Sequence, residues 1–182
     1  IITAHCPNTG SMLGLLNEGN KVWLTKSLNL KRKLKYTLQI IEDKKSKVGV
    51  NTHLTNKIVH EALKKNLIKN FNQNIKITSE KVFGKKTRFD FFLENKNIKT
   101  FLEVKNVTLN RKDKTAEFPD SITSRGTKHL NELMIAAKKG FKAYLLFVIQ
   151  REDCKKFEIA KDIDIEYANA IKKAIKHNVK IL

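Results

Sequence analysis

The sequence predicts a mixed α/β chain. A small, strand-rich N-terminal part spans 1–48, and a domain with helices flanking a mixed central sheet spans 49–182. Three stretches carry that expectation. Arg88 to Leu109 reads as two strands around a tight turn. Residues 56–67 repeat apolar side chains at helical spacing. Ala143 to Arg151 contains a continuous apolar run, the mark of a strand buried on both faces.

At 182 residues the chain holds one or two domains, and 41% hydrophobic residues suffice for a core. A formal charge of +19 points to a polyanionic partner, nucleic acid first. The basic residues are 5 arginines and 32 lysines, beside abundant asparagine and isoleucine. An AT-rich genome produces the same bias by drift, so a merely solvated basic surface stays open. Cys6 and Cys154 lack CxxC spacing, which indicates neither a zinc site nor a disulfide framework and fits a reducing, cytoplasmic setting. No apolar run approaches the ~20 residues of a membrane helix, and no signal peptide is visible. Ile1 opens inside an apparent strand, and 178–182 stop as another begins, as in a fragment clipped at both ends.

In chain order, His5-Cys6-Pro7-Asn8-Thr9-Gly10-Ser11-Met12 is a structured loop of turn formers. Adjacent His5 and Cys6 are poor geometry for one metal, so a loop packed on a small barrel is the favoured reading. Lys21 to Thr25 is a short strand whose Trp23 reads as core, with base stacking the alternative. Lys31, Arg32, Lys33 and Lys35 feed a strand that runs to Ile41. Small barrels hold single strands with such basic loops, and a solvated turn fits equally. A charged turn at 44–47 leads to Val48-Gly49-Val50. A helical segment opens at Asn51-Thr52, with Asn56 as N-cap, Ile58, Val59, Ala62, Leu63 and Leu67 on one face, and its end at 72–74. Residues 75–78 and 81–83 then lead into the hairpin.

Folding that hairpin about Lys96 and Asn97 sets Asp90 opposite Glu103, with Cβ atoms about 5 Å apart. Lys105 lies two residues from Glu103 and shares its face. Two carboxylates this close repel unless a cation sits between them. Mg²⁺ suits one or two carboxylates plus water and phosphate, and a lysine beside it would position a water for attack. A surface salt-bridge ladder satisfies the same pattern. The acid, acid-x-lysine arrangement resembles the PD-(D/E)XK nuclease superfamily, with Phe89 where the proline would stand. That resemblance implies Asp90, Glu103 and Lys105 as catalytic residues and Mg²⁺ or Mn²⁺ as cofactor. The order helix, strands, hairpin matches its α-β-β-β start, where an acid on the first helix often joins the metal. Glu61 is the candidate, and an exposed glutamate paired with Lys64 or Lys65 is the alternative.

Beyond the hairpin, Thr123, Ser124, Arg125, Lys128 and His129 cluster at a helix start, whose free N–H groups suit phosphate. Leu130, Leu133, Met134 and Ala137 form its buried stripe and Gly140 closes it. His129 reads as a phosphate or surface contact rather than a base. Gln150, at the end of the apolar strand, would reach the edge of the metal site. Residues 166–177 form the last helix.

The phrases HCPNTGSM, VGVNT, TRFDF, EVKNVTL, FPDSITSRGTKHL and LLFVIQR together resemble the sugar fermentation stimulation protein A (SfsA) family across essentially the whole chain. The resemblance implies an OB-like barrel followed by a PD-(D/E)XK restriction-endonuclease-like α/β domain. Members usually carry further barrel strands before HCPNTGSM, so the barrel here is partial. It also implies DNA binding without strong sequence preference, a link to maltose metabolism, and the Val104 carbonyl as another metal ligand. Lys31, Arg32, Lys33, Lys35, Arg88, Thr123, Ser124, Arg125, Lys128, His129 and Gln150 are the candidate DNA contacts. A Mg²⁺-dependent deoxyribonuclease is the alternative function, and a regulatory module without nucleic acid a third. The oligomeric state stays open, a homodimer included.

Overall fold

The computed structural model describes residues 1–71, 74–84 and 87–182. In chain order the elements are β1 (Ala4–His5), β2 (Val22–Lys26), β3 (Tyr36–Asp43), β4 (Ser46–Gly49), α1 (Thr52–Lys64), β5 (Lys76–Phe83), β6 (Thr87–Asn95), β7 (Ile98–Val107), β8 (Leu109–Lys112), β9 (Thr115–Phe118), α2 (Ser124–Lys138), β10 (Lys142–Ile149), β11 (Lys156–Ile159), α3 (Ile165–Lys176) and β12 (Val179–Ile181). The chain divides into two compact units. One comprises Ile1–Leu54, Asn106–Ser121 and Ile149–Ile163, and the other Thr55–Lys105, Ile122–Val148 and Asp164–Leu182.

In the first unit β3 is the shared strand, parallel to β1 and antiparallel to β2 and β4. Met12, Leu15, Ile41, Val48 and Val50 form its apolar centre. The basic stretch 31–35 precedes β3, and the Lys35 carbonyl accepts from Ser27 N–H at 2.8 Å. Trp23 is half-buried, with Lys21 Nζ 5.0 Å from its ring centroid. A second small sheet, ordered β11-β9-β8, belongs to the same unit. Arg111 ties it together through Glu117 and Asp162 at 2.8 and 2.6 Å. Arg151 is buried and donates to Asp43 at 2.9 Å, to Asp153 at 2.7 Å and to the Thr108 carbonyl at 2.9 Å. A buried guanidinium needs such partners, because an unpaired one would lose its hydration uncompensated.

The second unit is built on a mixed sheet ordered β12-β10-β7-β6-β5, in which β12 runs parallel to β10 and β5, β6 and β7 form an antiparallel meander. Val59 and Leu63 of α1 pack on Phe91, Leu93, Leu102, Val104 and Tyr144. Phe83, Phe89, Phe92, Phe101 and Phe141 form a second cluster, with ring centroids 4.7 to 6.4 Å apart. Thr123 caps α2 by accepting from Gly126 N–H at 3.1 Å, and Asp164 caps α3 by accepting from Tyr167 N–H at 2.8 Å. Asp164 also accepts from Thr123 N–H at 2.8 Å, which joins the two helix starts. A Cβ on Gly126 would stand 2.9 Å from the Tyr167 ring, so the absence of a side chain there permits the helices to meet.

The helix start differs from the expectation. Asn51, not Asn56, caps α1, since its side chain accepts from His53 N–H at 3.1 Å. The buried stripe is Thr55, Val59 and Leu63, while Ile58 and Leu67 are exposed. α1 closes at Lys64, ahead of the expected end, of which Asn72 and Gln73 lie outside the described residues. Gly140 follows α2 at φ +89, a conformation suited to glycine, and α3 covers almost the span expected.

Candidate functional site

The β6–β7 hairpin turns at Lys96 and Asn97 and pairs Asn95 with Ile98 through to Phe91 with Leu102. That register is the one the alternation predicts, and it leaves Asp90 and Glu103 as the next positions. A two-residue turn fixes register, and a slip of one would exchange Phe91, which packs on α1, and Phe92, which packs on Phe101 and Phe141, between the two packed faces.

Asp90 accepts at both oxygens, from the Asn56 side-chain amide at 2.7 Å and from Val104 N–H at 2.7 Å. Burial pushes its carboxyl up to about 6, and the nearby Glu103 charge adds to the rise. The Val104, Asn56 and Lys105 contacts only partly oppose it. Glu103 is 2% exposed. Its Oε1 accepts from Lys105 Nζ at 2.6 Å and from His129 Nδ1. Burial alone would raise its pKa, but the His129 hydrogen bond and the Lys105 charge outweigh burial and hold it below the ordinary range. An ionised carboxylate only accepts, so His129 carries hydrogen on Nδ1. Lys105 is largely buried and shares the face of Glu103 as the alternation predicts.

Glu103 Oε2 is buried and has no hydrogen-bond partner among the described residues. A buried anionic oxygen without a partner is costly, and a cation satisfies it. The donors at hand are carboxylate oxygens, which suit Mg²⁺, Mn²⁺ or Ca²⁺ rather than a thiophilic metal. Among the described residues no group of three or more His, Cys, Asp and Glu is placed to hold a metal ion. A cation between Asp90 and Glu103 would therefore complete its shell with a backbone carbonyl, such as that of Val104, with water or with phosphate oxygens. Mg²⁺ commonly binds in that way.

The other candidates separate by position. Glu61 is one helical step past His60, about 100° around the axis. It faces solvent with 65% of its side chain exposed and pairs with Lys65 at 2.5 Å. It does not join the trio; from α1 it is Asn56 that reaches Asp90. His60, four residues on, stacks on Phe91 with centroids 6.1 Å apart, so positions 56 and 60 face the hairpin. His129 corrects the surface expectation. It is 7% exposed, because it shares the α2 face of Gly126, Leu130 and Leu133. Ser124, Arg125 and Lys128 are exposed at the start of α2, and Thr123 is its cap. Lys31, Lys33 and Lys35 are exposed in the first unit, and Arg32 is half-buried. Arg88 is exposed and paired with Glu80 at 3.0 Å. Gln150 donates its side-chain amide to Asn106 Oδ1. As a cap candidate in the sequence, Asn56 gives no sign of this role, which is to donate to Asp90. The signal that could have found it is the spacing of Asn56 and His60 on one helix face.

Residues 53–182 match the family described as the sugar fermentation stimulation protein RE domain, and residues 1–50 match the SfsA N-terminal OB domain. The chain is 59% identical over 167 residues to a sugar fermentation stimulation protein homolog of Pelagibacter ubique, covering 92% of this chain and 72% of that protein. It is 41% identical over 182 residues to a homolog of Rhizobium rhizogenes, covering 100% of this chain and 73% of that protein. Among solved structures it resembles the Pyrococcus furiosus SfsA in complex with Ca²⁺. The TM-score is 0.89 at 26% identity, over 98% of this chain and 75% of the other.

Proposed function

The chain belongs to the sugar fermentation stimulation protein family, and on that premise we propose that it binds DNA largely without sequence preference, through the phosphodiester backbone. A regulatory role in sugar metabolism, maltose included, belongs to the same reading. Asp90 and Glu103 would hold a divalent cation, and the exposed Ser124, Arg125 and Lys128 would grip phosphate at the start of α2. The observation that carries the reading is the buried Glu103 Oε2, without a hydrogen-bond partner among the described residues, beside a carboxyl raised to about 6. It leaves a place for positive charge, and α2 ties that place to the exposed basic side chains through His129. The Pyrococcus furiosus relative is described as a complex with Ca²⁺, a cation of the same hard class, which supports the choice of metal.

Phosphodiester hydrolysis is a second reading, favoured by Lys105. The trio of Asp90, Glu103 and Lys105 is intact, with the ammonium on Glu103 at 2.6 Å, and a protein that only binds has no need of all three. A bound Mg²⁺ or Mn²⁺ would neutralise phosphate oxygens and lower the pKa of a bound water. The protein's part would be to orient the ligands. Asn56 and Val104 N–H fix the plane of the Asp90 carboxylate, His129 fixes Glu103, and the Lys105 ammonium would position the attacking water.

Calorimetric Mn²⁺ titration of wild type, Asp90→Asn and Lys105→Ala, beside cleavage of plasmid and junction DNA in Mg²⁺, Mn²⁺ or EDTA, separates the readings. Asp90→Asn should lose metal binding and any cleavage while retaining DNA binding. Lys105→Ala should keep metal and lose cleavage. Equal metal affinity in wild type and Asp90→Asn would refute the site, and metal binding without cleavage of any DNA form would leave binding as the function.

A further inference from the structure

Away from the carboxylates, the C-terminal halves of α2 and α3 enclose a groove of about 480 Å³ within the second unit. That volume lies in the range of small-ligand sites, ~300–1,000 Å³. Met134, Ile135 and Ala137 give it an apolar floor, and Lys138, Lys173 and Lys176 stand around it. No acidic side chain among the described residues lines the groove. None of the three lysines makes an ion pair with a carboxylate among the described residues. His177 Nδ1 lies 2.8 Å from the Lys173 carbonyl, which only accepts, so that nitrogen carries hydrogen and Nε2 remains for a ligand.

Lysines in a last helical turn favour the negative end of the helix dipole wherever they point. That explains cations on each helix but not three of them around one apolar floor. A DNA backbone would use the ammonium groups and leave Met134 and Ile135 without a role. We propose that this groove binds an amphiphilic organic anion, with its carboxylate or phosphate among Lys138, Lys173 and Lys176 and its alkyl chain along Met134, Ile135 and Ala137. Ile135 is 44% exposed, so covering it removes apolar surface from water. About 9 residues of α2 separate His129 from Lys138, a rise of roughly 13 Å, so the groove is distinct from the Asp90–Glu103 site.

The test uses the full chain and four probes: decanoate, decyl phosphate, decanol and butyrate. Calorimetry and amide chemical-shift mapping should show saturable binding of decanoate or decyl phosphate, with shifts at 131–138 and 173–178. Whichever of the two binds more tightly identifies the headgroup. Decanol and butyrate should each bind at least roughly tenfold more weakly, since each lacks one half of the recognition. Lys173→Glu with Lys176→Glu should weaken the preferred anion roughly tenfold, as should Ile135→Asp at the floor. Lys44→Glu with Lys45→Glu, the same charge change in the β3–β4 turn, should leave affinity unchanged. If charge reversal prevents folding, Lys173→Gln with Lys176→Gln should still weaken binding about threefold. Absence of saturable binding, equal loss in the Lys44/Lys45 variant, or decanol binding as tightly as decanoate overturns the proposal. So does a Lys173/Lys176 variant that loses duplex DNA affinity but not anion affinity, which would make these lysines backbone contacts.

Discussion

Asp90 has no free choice of orientation, because Asn56 and Val104 N–H each hold one of its oxygens at 2.7 Å. Asn56 is thus a positioning residue for a proposed ligand. Outer-sphere partners of this kind typically contribute ten- to hundredfold in metal affinity. Asn56→Ala should weaken Mn²⁺ binding by about that factor in calorimetry, with its circular dichroism unchanged, and unchanged affinity would remove Asn56 from the site. The same carboxyl gives a pH prediction. Its pKa rises from 3.8 unfolded to about 6 folded. Between those values the folded protein holds a proton that the unfolded chain releases, so stability falls as pH rises through the window and stays lower above it. The full shift corresponds to about 3 kcal/mol. Asn at position 90 does not titrate. In EDTA, urea unfolding should therefore show wild type losing ~1–3 kcal/mol relative to Asp90→Asn between pH 4 and pH 7.5. A constant difference would show that Asp90 does not titrate there. The trio was legible because it lies on one hairpin, where alternation and a two-residue turn fix neighbours. Asn56 and His129 were not, since each reaches the hairpin from a separate helix whose rotation is set by packing.

Among the elements, α2 contributes in two ways. One face places His129 on Glu103 and buries Leu130 and Leu133, while Ser124, Arg125 and Lys128 stay exposed at its first turns. The apolar stripe beginning at Leu130 was legible. It already implied that position 129, beside Leu130 and four before Leu133, lies near the buried face, and the phosphate reading of this turn obscured that. The short strands β8, β9 and β11, four residues each, gave no such signal. Their stretches LNRK, TAEF and KFEI mix charge with apolar residues and are too short for alternation to distinguish strand from loop. The exposed side chains of α2 carry the next prediction. Arg125→Ala and Lys128→Ala should each weaken binding to all duplex sequences alike and reduce the salt slope by about one. Fluorescence anisotropy on several unrelated duplexes measures both quantities. A loss confined to one sequence would make the residue a reader of base edges.

For the molecule as a whole, the sequence favours contiguous parts and the two family matches are contiguous, 1–50 and 53–182, while by contacts 106–121 and 149–163 group with the first 54 residues. Contiguity is the natural inference from a linear pattern, and long-range bonds that no local pattern announces bring those segments to the first 54 residues: Met12 N–H to Asp120, Lys47 N–H to Glu152, the Val48–Arg151 bridge and Arg151 to Asp43. Charge is the property read from the whole chain, and it decides between a nucleic-acid partner and drift. Lysines that contact phosphates release condensed counterions, so log K should fall linearly with log[salt] at about −0.9 per phosphate contacted on duplex DNA. Lysines accumulated by compositional drift face solvent in many directions and give a shallow response. With a net charge of +19, binding of random and defined duplexes measured from about 50 to 200 mM salt should weaken steeply and equally for both. A reach of six contacts would lower affinity roughly a thousandfold over that range. Running the series in EDTA and again in Mg²⁺ isolates the carboxylate site. A cation between Asp90 and Glu103 removes local negative charge facing phosphate, so Mg²⁺ should tighten wild type relative to Asp90→Asn at matched ionic strength. A flat salt response, or no binding at 50 mM, would assign the basic surface to drift and leave the carboxylate pair without a DNA role.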